Sequence, residues 1–142
     1  TKGVQMNLMD MENIMDHYKN PRHKGSLENP TVKHIEYNPL CGDKVEMFLR
    51  INNGTLADVK FKGEGCSISQ ASTSLLLEFA NGKDLEKIKK MTKEDIFEML
   101  GINLSPVRVK CALLGLDTLK NALLIHEKYG EKNGKNNAKR LS

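Results

Sequence analysis

Two runs of alternating apolar and polar residues, joined by Asn53-Gly54, restrict the fold of this chain more than any other feature of its sequence. Apolar side chains recur at every second position over residues 45–51 and again over residues 57–61. A period of two is typical of a strand with one buried face. An Asn-Gly dipeptide between two such runs favours a tight turn with positive φ angles. The pattern therefore predicts an antiparallel β-hairpin.

The residues after the hairpin show the period of helices instead. Three helices are predicted: one that ends at Gly82, a short one from Thr92 to Leu100, and a longer one from Ser105 toward Lys128. The apolar stripes of the first and the third consist of Ile68, Ala71, Leu75 and Phe79, and of Val109, Leu113, Leu116, Leu119 and Leu123. The helical half of the chain thus follows the strands.

Before the hairpin, residues 11–18 have the spacing of one helical face, and residues 32–37 are predicted as a strand although their alternation is poor. Strands first and helices later indicate an α+β domain. We expect a small three-stranded antiparallel sheet with helices packed on one face.

Composition excludes several classes of function. The net charge of +4 comes from 22 basic residues dispersed among 18 acidic ones, and aromatic residues make up only 5%, which argues against nucleic-acid binding. No apolar run approaches the roughly 18 residues of a membrane-spanning helix, and no targeting signal is visible, so we expect a cytoplasmic protein with no membrane role.

Residues 1–129 are predicted to form one domain, and residues 130–142, which are polar and rich in Gly and Asn, are predicted to form a flexible tail.

The strongest chemical signals are three cysteines. Cys41 and Cys66 are 25 positions apart and Cys66 and Cys111 are 45 apart, spacings that match neither a disulfide framework nor a zinc finger. Three unrelated buried thiols remain one interpretation, because free cysteine packs like a small apolar residue. The residues around each cysteine carry more information than the spacings do.

Each cysteine has a distinctive sequence context. Cys41 is predicted in a turn, and Asp43, two positions later, either ligates a metal or is a solvated turn residue. Cys66 follows two glycines at the start of a helix, where the helix dipole favours the thiolate. Cys111 follows Arg108 and Lys110, whose charges also favour a thiolate, although adjacent side chains on a helix point about 100° apart.

Taken together, these contexts resemble a known family. The segments NPLCGD (38–43), GEGCSISQAS (63–72) and RVKCALL (108–114) resemble, in this order, the three cysteine motifs of the U-type iron-sulfur scaffold family, which includes IscU, SufU and the N-terminal domain of NifU. The segment DHYKNPRHKGSLENP (16–30) also resembles the family's N-terminal region. The similarity extends from about Met9 to Lys128.

The resemblance implies an IscU/SufU-like fold and a role in iron-sulfur cluster assembly. Members of the family receive persulfide sulfur from a cysteine desulfurase of the IscS, SufS or NifS type, combine it with iron into a [2Fe-2S] cluster and transfer the cluster to acceptor proteins. They are carriers and not turnover catalysts. By this resemblance Cys41, Asp43, Cys66 and Cys111 are the expected ligands of iron, the cluster or zinc, and Cys111 is the expected persulfide acceptor. A monomer and a homo-oligomer both stay open.

The sequence departs from the patterns of the family's subgroups at three places. Many IscU proteins have histidine immediately before the third cysteine, whereas this chain has Lys110, as SufU-like members do. A protonated lysine cannot ligate metal, so Lys110 is at most an auxiliary residue. The insertion typical of zinc-dependent SufU proteins is absent, since only 44 residues separate Cys66 from Cys111. Residues 104–108 read LSPVR where chaperone-served IscU proteins have LPPVK. The SufU-like lysine makes a zinc-bound sulfur acceptor the alternative, while the IscU-like length keeps the scaffold as the first hypothesis. A zinc-stabilised interaction module is a third hypothesis.

The four histidines receive a structural interpretation. None of His17, His23, His34 and His126 lies within a cysteine motif. We therefore expect no histidine ligand at the cysteine site.

Overall fold

The computed structural model describes residues 8–130 of the chain, with side chains for residues 11–128. The predicted tail falls almost wholly outside the described residues, so the division into a domain and a tail stays a prediction. The elements, in chain order, are α1 (Leu8–Lys19), β1 (Val32–Asn38), β2 (Asp43–Asn52), β3 (Thr55–Glu64), α2 (Ser67–Ala80), α3 (Leu85–Lys89), α4 (Lys93–Leu100), α5 (Pro106–Ile125) and a π-helical turn (His126–Gly130). The predicted α+β class is confirmed.

The three strands form one antiparallel sheet in the order β1-β2-β3. The predicted hairpin is confirmed, with Asn52 opposite Thr55 and both Asn53 and Gly54 at positive φ. Val45, Met47 and Leu49 are fully buried, as their alternation predicts. Because the register also sets Asn38 opposite Asp43, the connection between β1 and β2 is a tight loop at one end of the sheet.

Phe48 departs from the simple alternation. It points to the face opposite Val45 and Met47, yet only 7% of it is exposed. The Lys62 ammonium lies 5.9 Å from the centroid of its ring, so a long basic side chain helps to cover it.

The second helix, α2, lies between α1 and α5 and also contacts β3. Most of its residues are therefore buried on several sides, including Ser69, Thr73 and Ser74, which are fully buried. The single apolar stripe predicted for this helix is wrong at its C-terminal end, because Leu75 is half-buried and Phe79 is 38% exposed. These polar side chains have hydrogen-bond partners: Thr73 donates to the Ser69 carbonyl at 2.8 Å, and the Ser74 hydroxyl accepts the Arg22 N–H at 2.7 Å.

The last helix, α5, packs on β1, β2 and α2. Its predicted start is confirmed, since Ser105 is the N-cap, its side chain accepts the Arg108 N–H at 3.4 Å, and Pro106 is the first helical residue. The buried face is rotated from the predicted stripe, because Cys111 and Leu114 are buried whereas Val109 and Leu113 are only half-buried. Close packing on α2 depends on Gly115, where an added Cβ would lie 2.5 Å from Thr73 Oγ1.

The boundaries of α4 agree with the sequence, whereas the five-residue helix α3 was not among the predicted helices. The short helix α4 has the predicted capping box between Thr92 and Asp95 and ends at Gly101 in the left-handed conformation. Over the part of the chain that the structure describes, no helix is both long enough and apolar enough to cross a membrane.

Candidate metal centre

Cys41 lies in the tight loop between β1 and β2. The Asn38 carbonyl accepts the N–H of Cys41 at 3.2 Å and that of Gly42 at 2.9 Å, which folds the loop back on itself. Gly42 has φ of +72°, a conformation that glycine adopts without strain. The loop holds Cys41 half-buried at the end of the sheet, beside the exposed side chain of Leu40.

Asp43 is the first residue of β2 and only 1% exposed. Its Oδ1 atom accepts the backbone N–H of Cys66 at 2.9 Å, and its buried Oδ2 atom has no hydrogen-bond partner. An orphaned carboxylate oxygen in the interior is costly unless a cation or a donor satisfies it. The solvated-turn interpretation of Asp43 is therefore wrong.

Cys66 is the N-cap residue of α2, as its sequence context predicts. It is half-buried, and the residue before it, Gly65, has φ of +136°. A Cβ at Gly65 would lie 2.1 Å from Oδ1 of Asp43, so only glycine lets the carboxylate approach this closely. Gly63 allows a similar approach, because its added Cβ would lie 2.8 Å from the Lys44 carbonyl oxygen and 2.9 Å from Oε1 of Gln70.

Cys111 lies in the second turn of α5 and is fully buried. Its Sγ atom is 3.0 Å from Sγ of Cys41, 3.7 Å from the Val107 carbonyl oxygen and 4.0 Å from Nδ2 of Asn38. Burial raises the pKa of the Cys111 thiol well above its usual range, and the neighbouring side chains of Cys41, Asp43 and Cys66 raise it further. In the structure, the burial of the Cys111 thiol opposes the thiolate form that the neighbouring cations were expected to favour.

The structure brings Cys41, Asp43 and Cys111 together although they come from separate segments. One donor atom from each lies within 4.8 Å of the other two. Two sulfur ligands at 2.3 Å from one tetrahedral ion are about 3.8 Å apart, so a small adjustment would place these donors around a single cation. The unpaired Oδ2 of Asp43 also fits a cation at this position. Soft thiolates with one harder oxygen suit zinc or iron.

Cys66 is only loosely part of this group. Its thiol does not join the donor atoms that lie within 4.8 Å of one another among the described residues. It is tied to the same site through its backbone N–H, which donates to Oδ1 of Asp43. Cys66 therefore lies beside the donor group of Cys41, Asp43 and Cys111 and is not part of it.

Lys110 and the histidines lie outside the donor group. Lys110 is exposed, and no hydrogen bond or ion pair resolved within residues 8–130 involves its amino group. His17 contacts Ser74, His23 contacts the Val59 carbonyl oxygen, and His34 contacts Glu36. These contacts agree with the structural interpretation of the histidines.

Asn38 was missed by the sequence reasoning. It is 7% exposed, its carbonyl closes the Cys41 loop, its Oδ1 accepts the Leu40 N–H at 3.3 Å and its Nδ2 faces Cys111. Its position at the start of the NPLCGD segment is the sequence signal that could have indicated it.

This fold and site define a small α+β protein with a thiol-rich centre where a sheet end meets two helices. A sequence profile of the NifU-like N-terminal domain family matches residues 9–136. The chain belongs to this family.

Relatives and solved structures agree with this assignment. The zinc-dependent sulfurtransferase SufU of Bacillus subtilis is 37% identical over 131 residues, covering 80% of this chain and 88% of the relative. The iron-sulfur cluster assembly scaffold protein IscU 1 of Archaeoglobus fulgidus is 32% identical over 127 residues, covering 89% and 80%. The crystal structure of a putative scaffold protein for the SUF system from Fervidobacterium islandicum AW-1 superposes with a TM-score of 0.71 at 33% identity, covering 79% of this chain and 94% of that one.

Proposed function

We propose that this protein is an iron-sulfur cluster assembly scaffold. It accepts persulfide sulfur from a cysteine desulfurase, combines it with iron into a [2Fe-2S] cluster, and passes the cluster to acceptor proteins. The observation that carries the proposal is the convergence of donor atoms of Cys41, Asp43 and Cys111 within 4.8 Å, on an aspartate whose Oδ2 is buried without a hydrogen-bond partner. Similarity to named IscU scaffold proteins supports it.

Each residue has a role that its surroundings support. Cys41, Cys66 and Cys111 supply soft ligands, and Asp43 supplies a harder oxygen that binds iron more weakly. Weak fourth ligation favours release, which a scaffold needs and a permanent electron carrier does not. Cys111 is the proposed persulfide acceptor, and Lys110 stays an auxiliary residue at the exposed side of α5. We place this function in the cytoplasm, because three free cysteines suit a reducing compartment.

The test is anaerobic purification without added metal, followed by measurement of iron, acid-labile sulfide, zinc and the visible spectrum. Iron with matching sulfide supports the scaffold. Reconstitution with iron, cysteine, a desulfurase and a dithiol reductant should then give visible charge-transfer absorption, which each of the Cys→Ser variants at positions 41, 66 and 111 should lose. A colourless wild-type product under these conditions would contradict the proposal.

The second candidate is a zinc-bound sulfur acceptor that stimulates a cysteine desulfurase. The 37% identity to a zinc-dependent sulfurtransferase favours it, as does a donor group compact enough for one tetrahedral ion. Its test is the desulfurase turnover rate with and without the zinc-loaded protein. Stimulation by the zinc form, with no cluster on reconstitution, would select this candidate over the scaffold.

A further inference from the structure

The contact between Cys41 and Cys111 has a chemical consequence beyond ligation. Their sulfur atoms are 3.0 Å apart, whereas a disulfide bond is about 2.05 Å long, so an approach of about 1 Å would join them. Cys41 lies on a loop and not in a helix or strand, and an added Cβ at the neighbouring Gly42 would meet no atom within 4 Å. Cys41 thus lies outside the strands, so an approach of this size requires no helix or strand to move.

Sulfur that arrives as a persulfide is at the oxidation level of elemental sulfur. It needs two electrons to become the sulfide of a cluster. A pair of neighbouring cysteines can supply these two electrons, because two cysteine sulfurs together lose two electrons when they form a disulfide. The 3.0 Å contact places such a pair at the site where, by the proposed function, the persulfide is received.

We propose that Cys41 and Cys111 form an internal dithiol that reduces a bound persulfide and releases sulfide within the site; this rests on the proposed sulfur-accepting function. In the metal-free protein, Sγ of Cys41 forms a bond to Sγ of Cys111. The bond between Sγ of Cys111 and its sulfane sulfur breaks. The sulfane sulfur leaves as hydrogen sulfide with the bonding electron pair, the persulfide proton and the proton of the Cys41 thiol.

The atoms and electrons of this step balance. The sulfane sulfur gains two electrons, and the two cysteine sulfurs lose two as they become a disulfide. No external reductant enters the release step. A dithiol reductant is needed afterwards to restore both thiols, and the cluster ligands Cys41 and Cys111 are available again only after that reduction.

The structure favours a disulfide between Cys41 and Cys111 over one with Cys66. Cys66 is the only other cysteine in the sequence, and its thiol lies outside the donor group that contains Cys41 and Cys111. The backbone of Cys66 is also held by Asp43 at 2.9 Å, at the N-cap of a buried helix. A disulfide formed on release should therefore join Cys41 to Cys111 and not either of them to Cys66.

The experiment uses the full-length, metal-free, reduced protein. Brief treatment with inorganic polysulfide loads it with sulfane sulfur, and desalting removes the donor. Sulfide is then followed over time without any reductant, and the protein is alkylated and digested with trypsin. Cleavage after lysine separates the three cysteines into peptides 34–44, 63–83 and 111–120, so each pairing has its own mass.

We expect one sulfide released for each disulfide formed, with that disulfide joining peptides 34–44 and 111–120. In Cys41→Ser, the persulfide should remain on Cys111 and sulfide release should slow by at least about tenfold, because the attacking thiol is no longer held beside it. A disulfide through peptide 63–83, release without a disulfide, or full release in the variant would each overturn the proposal. The wild-type peptide map distinguishes the two pairings even where the variant fails to fold.

A second loading route separates this inference from the proposed function. The same protein is loaded with a cysteine desulfurase and cysteine instead of polysulfide. Loading by the enzyme without an internal disulfide would overturn the inference and leave the scaffold intact. Internal release after polysulfide, with no loading by the enzyme, would support the inference and count against the desulfurase as sulfur donor.

Discussion

Oδ1 of Asp43 accepts the backbone N–H of Cys66 at 2.9 Å and thereby joins the start of β2 to the N-cap of α2. The other oxygen of the same carboxylate is buried without a partner. One side chain thus performs two separable tasks: Oδ1 fixes the position of Cys66, and Oδ2 is available to a cation. Replacing the carboxylate by an amide separates the two.

We expect Asp43→Asn to retain the fold and lose metal affinity. The amide oxygen can still accept the Cys66 N–H, while the charge and the unpaired oxygen are lost. Zinc affinity should fall by at least about tenfold, the range that even loss of an outer-shell partner produces. Competition with a chromophoric chelator measures it, and thermal unfolding of the metal-free protein is the control. Unchanged zinc affinity would mean that Asp43 is not a ligand.

Gly65→Ala should disturb the metal site in addition to straining the backbone. Gly65 has φ of +136°, and its added Cβ would lie 2.1 Å from Oδ1 of Asp43. Gly54→Ala is the matched control, because Gly54 also has positive φ, at +76°, but its Cβ would meet nothing within 4 Å. Both variants should lose about 1 kcal/mol or more of stability from backbone strain.

Only Gly65→Ala should also lose zinc affinity, because only there must Asp43 move. Urea unfolding and the chelator competition measure the two effects separately. Equal zinc affinity in the two alanine variants would contradict the close approach of Asp43 to the Gly65 backbone.

The fold could be predicted where local signals determine it. Asn53-Gly54 and the period of two are readable within a dozen residues, and the same holds for the capping box at Thr92. The exposure of Phe79 could not be predicted, because it depends on how α1 and α5 cover α2. Tertiary packing overrides a helical stripe when a helix is buried on several sides.

The candidate site was reached from the sequence mainly by resemblance. Cys41 and Cys111 are 70 positions apart, and no local pattern indicates that their sulfur atoms meet. The burial of Cys111 agrees with the interpretation of a free cysteine as a small apolar core residue, but that interpretation does not indicate which groups its sulfur meets. Asn38 was missed because asparagine before proline is an ordinary turn signal, and only the fold shows that its amide is turned toward a thiol.

His17 should make stability depend on pH. It is buried against Ser74, and Glu78 lies 3.5 Å from its Nε2. Burial lowers the pKa of His17 and Arg22 lowers it further, while Glu78 and Asp16 oppose the shift. The folded protein therefore holds His17 neutral at a pH where the unfolded chain, with an ordinary histidine pKa of about 6.5, binds a proton.

By linkage, stability is fully present above about pH 6.5 and falls as the pH drops from there toward the lowered pKa of the folded state. His17→Asn, which can still accept a hydrogen bond from Ser74, should show a shallower fall over the same range. Urea midpoints between pH 8 and pH 5 measure the difference. Parallel curves for the two proteins would show that His17 does not titrate with unfolding.

Leu40 should determine how well the protein engages a cysteine desulfurase. Leu40 is 73% exposed directly beside Cys41, and Tyr37 and Val107, at 63% and 58%, are further exposed apolar side chains on β1 and in the first turn of α5. By the proposed function a desulfurase delivers sulfur at this site, and we expect it to cover these side chains. Burying one leucine contributes about 1.5–3 kcal/mol, so Leu40→Ser should raise the concentration for half-maximal sulfur loading by at least about tenfold.

Leu124→Ser is the matched control, because Leu124 is 58% exposed but lies 13 residues beyond Cys111 on α5, about 20 Å along the helix. Zinc affinity should be unchanged in both variants, which shows that the site itself is intact. Equal loading curves for the two serine variants would place the desulfurase contact elsewhere on the surface.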